Sequence, residues 1–162
     1  MTRFYPVGRR PVDGGGADGL YGSLDFKEYL HQANAQRFVI LQIEDPEPMK
    51  ELDAIAALEG FDMLFFGPGD FSQGIGAPGQ WDHPLLLDAR KRVAEAAIKN
   101  GKFAATVGSI QNVEALQDIG YRFINLGADV LGLTSYCNNI SNSFSKTGHH
   151  RNNDIENDRK PY

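Results

Sequence analysis

Two patterns of apolar residues alternate along this chain. Short continuous apolar runs, bounded by Gly, Pro and acidic residues, are interleaved with stretches where apolar side chains return every three or four positions. The continuous runs predict strands covered on both faces, as in parallel sheets, and the spaced stretches predict amphipathic helices. Residues 24–34 place Phe26, Tyr29, Leu30 and Ala33 on one helical face. A strand follows over 38–43, rich in β-branched residues and ended by Glu44-Asp45-Pro46. Residues 47–58 carry Met49, Leu52, Ile55 and Ala56 at helical spacing, and Glu59-Gly60 closes that helix. A second strand over 62–66 runs into Gly67-Pro68-Gly69-Asp70 and a Gly-rich loop that reaches His83-Pro84. A long helix over 85–99, stopped by Asn100-Gly101, leads to a third strand over 103–107. A helix over 112–118 ends at Gly120, a fourth strand covers 123–126, and a last helix covers about 128–144.

This order divides the chain into three parts. Residues 1–23 hold too many Gly and Pro for a regular element and predict an irregular opening loop. Residues 24–145 form four strand–helix units, the pattern of an α/β protein with a parallel sheet. Residues 146–162 are polar, nearly without hydrophobes, and predict a disordered tail. An open doubly wound sheet and a (β/α)₈ TIM barrel both satisfy the repeat. The even strand spacing favours the barrel, and four units are half of one, since a complete barrel needs about 250 residues.

Composition narrows the function classes. The 162 residues carry a formal net charge of −5, which argues against a nucleic-acid or anionic-membrane partner. No apolar run approaches the ~18 residues a membrane span requires, and the N-terminus lacks the apolar segment of a secretory signal. Cys137 is the chain's single cysteine, so no intramolecular disulfide forms and a reducing, cytoplasmic setting is expected.

In either closure, chemistry sits at the carboxyl ends of the strands. Glu44 and Asp70 fall at the ends of neighbouring predicted strands, ~4.8 Å apart across a sheet. Two carboxylates so placed suit a hard divalent cation, which prefers oxygen ligands and fills its shell with substrate and water. Three uses stay open for them: metal ligands, helix-capping and turn residues, or a general acid–base pair. Gly69 lets backbone amides, its own and that of Asp70, approach a carboxylate oxygen, or else marks an ordinary turn. The run Gly74-Ile75-Gly76-Ala77-Pro78-Gly79 matches G-x-G-x-x-G, but no helix is predicted to open at these glycines, so it reads as a loop. His31 is predicted on a surface helix face, His83 in a turn, and His149 and His150 in the tail. Lys102 starts a strand, the wrong end for a Schiff base.

At these residues the chain resembles a known family. Leu41-Gln42-Ile43-Glu44, followed by Phe65-Phe66-Gly67-Pro68-Gly69-Asp70-Phe71-Ser72, is similar to the paired strand motifs of the HpcH/HpaI aldolase/citrate lyase family. Tyr5-Pro6-Val7-Gly8-Arg9-Arg10, Gln32-Ala33-Asn34, Gly60-Phe61-Asp62, His83-Pro84, Gly101-Lys102 and the stretch from Phe123 to Asp129 follow in the family's order, so the resemblance covers about residues 4–144. It implies a (β/α)₈ barrel of which this chain supplies the C-terminal half, about strands 5–8. It also implies a divalent metal (Mg²⁺, Mn²⁺ or Co²⁺) and retro-aldol cleavage of a 4-hydroxy-2-oxo acid to pyruvate and an aldehyde through a metal-stabilised enolate.

By that resemblance Glu44 and Asp70 are metal ligands. Gln42 lies beside the bound 2-oxo acid, and the Gly69 and Asp70 amides hold its carboxylate. The family's catalytic His and Arg belong to earlier strands and lie outside this chain, so little turnover is expected of it alone. Arg10 is followed by Pro11 where the family has glycine, and the segment 13–19 departs from the family's opening loop. A malyl- or citramalyl-type acyl-CoA lyase is the alternative within the superfamily, and a non-catalytic fragment needing a partner chain is the alternative outside it. A half barrel has exposed edges, so a homo-oligomer is expected.

Overall fold

The computed structural model describes residues 2–146. Two compact units are present, one through Leu126 and one from Gly127 onward. The first is built on four parallel strands, β1 (Ile40–Ile43), β2 (Met63–Phe66), β3 (Phe103–Gly108) and β4 (Tyr121–Leu126), in sheet order β1-β2-β3-β4. Each successive pair is joined by helical crossover: α2 (Leu52–Ala57) after β1, α3 (Pro68–Gly74) and α4 (Pro84–Lys99) after β2, α5 (Val113–Asp118) after β3. α1 (Phe26–Gln36) precedes β1. The second unit contains α6 (Asp129–Lys146), whose apolar residues Val130, Leu131, Leu133 and Tyr136 are exposed. No helix among the described residues is long and apolar enough to cross a membrane.

Parallel register aligns Ile43 with Phe66, Phe66 with Thr106, and Thr106 with Ile124. Aligned residues share a face, and this face carries the core. Ile43, Leu64, Phe66, Ala104 and Tyr121 pack against Leu86, Ala89, Val93, Ala94 and Ala97 of α4 and against Leu52 and Ala56 of α2. The α4 residues recur at helical spacing, so one apolar stripe covers the middle of the sheet. Thr106 is fully buried there because its hydroxyl donates to the Phe66 carbonyl at 2.9 Å.

The opposite face corrects the expectation of strands covered on both sides. Ile40, Phe103, Val107 and Phe123 are 37%, 58%, 38% and 43% exposed, and they share a face with the half-buried Phe65 and with Met63 and Ala105, which neighbouring side chains bury. Continuous apolar sequence reports a strand's preference for burial on two sides, but the described residues of this unit supply a cover for one. The sheet nevertheless curls toward its open face. The Phe38 ring, at the β1 edge, lies 6.3 Å from the Phe123 ring on β4. Flat strands would hold the outer pair about 14 Å apart. A β-bulge between Ala104 and Ala105 leaves Arg122 as the extra residue on β4 and adds to the local twist.

Three further elements depart from the sequence pattern. The helix expected over 47–58 is divided into a 3₁₀ turn, Glu47–Lys50, and α2. Pro46 and Pro48 lack donors, and Met49 and Glu51 bond three residues back. β4 begins at Tyr121, two residues early, because that side chain is pulled fully beneath α4 and donates to the Arg90 carbonyl at 2.8 Å. The Gly-rich stretch after β2 also contains a helix, α3, described below.

The opening segment is irregular apart from a 3₁₀ turn at Ala17–Gly22, and it is fastened to α1. Phe4 is buried against Tyr29. The Asn34 side chain accepts from the Phe4 amide at 2.8 Å and donates to the Phe4 carbonyl at 3.1 Å. Arg3 donates to the Asn34 and Arg37 carbonyls and reaches Asp62 at 3.3 Å. Asp62 also accepts from the Val39 amide, so one carboxylate joins the opening segment, the start of β1 and the approach to β2. The tail from residue 147 lies outside the described residues.

Candidate active site

The carboxyl ends of β1 and β2 stand side by side. The Gly67 amide donates to the Ile43 carbonyl at 2.9 Å, continuing the ladder one step past the register pair Ile43–Phe66. Glu44 therefore stands next to Gly67. A side chain at Gly67 would come within 2.9 Å of Glu44 Cβ and 3.1 Å of Gln42 Nε2. Glycine there keeps room for the Gln42 and Glu44 side chains over the end of β2.

Glu44 is half-buried and Gln42 exposed. The Gln42 side-chain amide donates to Glu44 Oε2, which orients the carboxylate. Among the described residues no cation pairs with Glu44. The following turn is capped instead by Asp45, whose carboxylate accepts from the Glu47 amide at 2.7 Å. The capping alternative considered for Glu44 is thus filled by its neighbour.

Gly69 and Asp70 sit in the first turn of α3, where the sequence pattern indicated only loop. Pro68 occupies the first helical position, where its missing donor costs nothing. The first intrahelical bond runs from the Phe71 amide to the Gly67 carbonyl at 3.1 Å, so the Gly69 and Asp70 amides carry no intrahelical bond. Phe71 anchors the helix, 3% exposed, its ring 5.2 Å from that of Phe66. Ser72, 1% exposed, donates to the Gly69 carbonyl at 2.7 Å and accepts from the Gly79 amide at 3.1 Å. These two buried residues hold α3 in place and were missed because glycine density outweighed them in the sequence. The stretch Gly74–Gly79 ends α3 and turns, with positive φ at Gly76 and Gly79, and the next helix opens only at Pro84.

Asp70 is exposed, and its carboxylate has no hydrogen bond or ion pair among the described residues. The structure thus places two carboxylates without cationic partners at the ends of adjacent strands, one of them oriented by an amide. An all-oxygen donor set of this size fits a hard divalent cation that keeps open positions for water or a chelating substrate. No group of three or more His, Cys, Asp or Glu suited to a metal occurs among the described residues. His83 is instead the N-cap of α4, its Nδ1 accepting from the Leu85 amide at 3.3 Å, and His31 is exposed on α1. His149 and His150 lie outside the described residues.

The family model for the HpcH/HpaI aldolase/citrate lyase matches residues 2–135. The chain belongs to that family. It is 38% identical over 126 residues to a hydroxypyruvate/pyruvate aldolase of Paraburkholderia phytofirmans, a match covering 76% of this chain and 47% of that protein. It is 28% identical over 146 residues to a 5-keto-4-deoxy-D-glucarate aldolase of an Enterobacter species, covering 90% of this chain and 56% of that one. Among solved structures, an HpcH/HpaI family protein from Burkholderia cenocepacia superposes with a TM-score of 0.75 at 32% identity, covering 89% of this chain and 57% of that one. The chain spans about half the length of the curated relatives it matches, and its parallel four-stranded sheet is consistent with a partial HpcH/HpaI barrel.

Proposed function

We propose that this chain carries the metal-binding half of a pyruvate aldolase that cleaves a 4-hydroxy-2-oxo acid to pyruvate and an aldehyde. The observation that supports this best is the pair Glu44 and Asp70, free of cationic partners among the described residues and set just past the ends of adjacent strands. The name of the Paraburkholderia relative, a hydroxypyruvate/pyruvate aldolase, points the same way. Glu44 and Asp70 would hold the cation (Mg²⁺, Mn²⁺ or Co²⁺). When bound, it would supply Lewis-acid charge to the oxygen on which negative charge develops as the carbon–carbon bond breaks.

The chain's own residues would do the rest of the binding. Gln42, next to Gly67, orients Glu44 and lies on the side a 2-oxo acid would approach. The Gly69 and Asp70 amides would receive the substrate carboxylate. Proton transfer needs groups the family carries on earlier strands, so this chain alone is expected to bind metal and to turn over little substrate. The open apolar sheet face and unpaired outer strands favour a homo-oligomer over a free-standing monomer, and sedimentation of the purified chain tests that.

Calorimetry with Mn²⁺ tests the metal site. Binding should be lost in both Glu44→Ala and Asp70→Ala, and unchanged affinity in both variants would sink the assignment.

A further inference from the structure

α4 carries three consecutive basic residues, and two of them have acidic partners one turn away. Lys91 meets Glu95 at 3.7 Å and Arg92 meets Asp88 at 3.7 Å. Arg90 is different. It flanks the buried stripe of α4, half-buried, with its guanidinium carbon 6.0 Å from the centre of the Phe66 ring. Its Nε is buried with no hydrogen-bond partner, and among the described residues no carboxylate pairs with it. Burial holds its pKa below the ordinary arginine value, but arginine remains charged at any working pH. A partly desolvated cation without a partner is costly to keep unless something anionic meets it.

Arg90 also lines a pocket of about 430 Å³ at the carboxyl ends of β2 and β3. The pocket shares Gly69 with the turn that carries Asp70, and its far wall is Val107, Gly108, Ser109 and Asn112. None of its lining residues is acidic. Asn112 Oδ1 is committed to the Ser109 amide at 2.7 Å, and the Asn112 NH₂ has no acceptor among the described residues. Trp81, 56% exposed, supplies a broad apolar surface at the rim.

We propose that this pocket binds a small oxyanion, a carboxylate or phosphate group, on Arg90, Ser109 and Asn112, with the body of the ligand lying against Trp81. Guanidinium and oxyanion form charge-assisted hydrogen bonds in matching planar geometry. On the aldolase reading, which this one step assumes, the anion is a terminal acid group on the aldehyde half of the substrate, and the pocket selects acidic over neutral aldehydes.

Trp81 is the only tryptophan in the chain, so its fluorescence reports on the pocket directly. The purified chain is titrated without metal, at constant ionic strength, with inorganic phosphate and separately with malonate. A saturable change is expected with at least one of them, and the tighter probe identifies the group as phosphate or carboxylate. Arg90→Gln should weaken binding about tenfold or more, and Arg90→Lys less. Asn112→Asp keeps the acceptor for the Ser109 amide but adds a negative charge to the pocket. It should also weaken binding, and it decides the matter if the glutamine variant fails to fold. The absence of any saturable response in the wild-type chain would overturn the proposal. So would unchanged affinity in Arg90→Gln or, failing that variant, in Asn112→Asp. Because no metal is present, either result leaves the test of Glu44 and Asp70 untouched.

Discussion

Replacing Gly67 with alanine probes the candidate site with one methyl group. Gly67 has φ −96°, so alanine meets no backbone strain there and any effect is steric. The new Cβ would stand 2.9 Å from Glu44 Cβ, where ordinary contact begins at 3.4 Å. Glu44 Cβ is fixed to the backbone and cannot rotate away, so the end of β1 has to shift by several tenths of an ångström. Overpacking of this kind costs about 1–3 kcal/mol in a tight core. The low end of that range is expected here, because the site lies at a half-buried rim. The same shift moves Glu44 and Gln42 together. Misplacing a ligand or its hydrogen-bonded support lowers metal affinity about 10–100-fold.

Gly69→Ala is the matched control. A Cβ there meets nothing within 4 Å, so it should leave Mn²⁺ affinity intact and change stability by about 0.5 kcal/mol or less. Urea unfolding and Mn²⁺ calorimetry on both variants decide between the cases. Wild-type Mn²⁺ affinity in Gly67→Ala would show that the crowding around Glu44 has no bearing on the metal site.

Two further outcomes are expected. Phe71→Ala removes the buried anchor of α3 and should cost about 3–5 kcal/mol, read as a lowered urea midpoint. Amide exchange over residues 68–79 should rise with it, and unchanged protection there would show that Ser72 alone holds the helix. Asp18 is held below the usual carboxylate range by its hydrogen bond with Tyr29 and by the Arg37 guanidinium beside it. A carboxylate depressed in the folded state stabilises above its unfolded value, and that stabilisation disappears as pH falls through the folded one. Docking of the opening segment should therefore loosen only under acid conditions below the ordinary aspartate range. Proteolysis at residues 13–19 across that range measures it, and Asp18→Asn should abolish the pH dependence.

The strands, the long helix α4 and the order of the strand–helix units were legible because each rests on local periodicity. A continuous run such as Met63-Leu64-Phe65-Phe66 has few alternatives to a central strand, and Leu86, Ala89, Val93 and Ala97 trace one helical face whatever they pack on. The positions of Glu44 and Asp70 at neighbouring strand ends followed from the same order, since parallel strands joined by helices present their carboxyl ends together. α3 was not legible, because Phe71 and Ser72 act through contacts with Phe66 and Gly79 that glycine-rich sequence does not announce.

Tertiary structure alone decided the rest. Strand pairing put the bare Cα of Gly67 against Glu44, and Asp45, rather than Glu44, took the turn. The packing of α4 on the sheet left Arg90 half-buried without an acidic partner among the described residues, a distinction from Lys91 and Arg92 that no helical periodicity contains. The open face of the sheet is of the same kind. The sequence by itself determined that Ile40, Phe103 and Val107 prefer burial, because that is a property of each side chain. Whether anything covers them depends on which surfaces the chain brings together, and only the folded arrangement decides that.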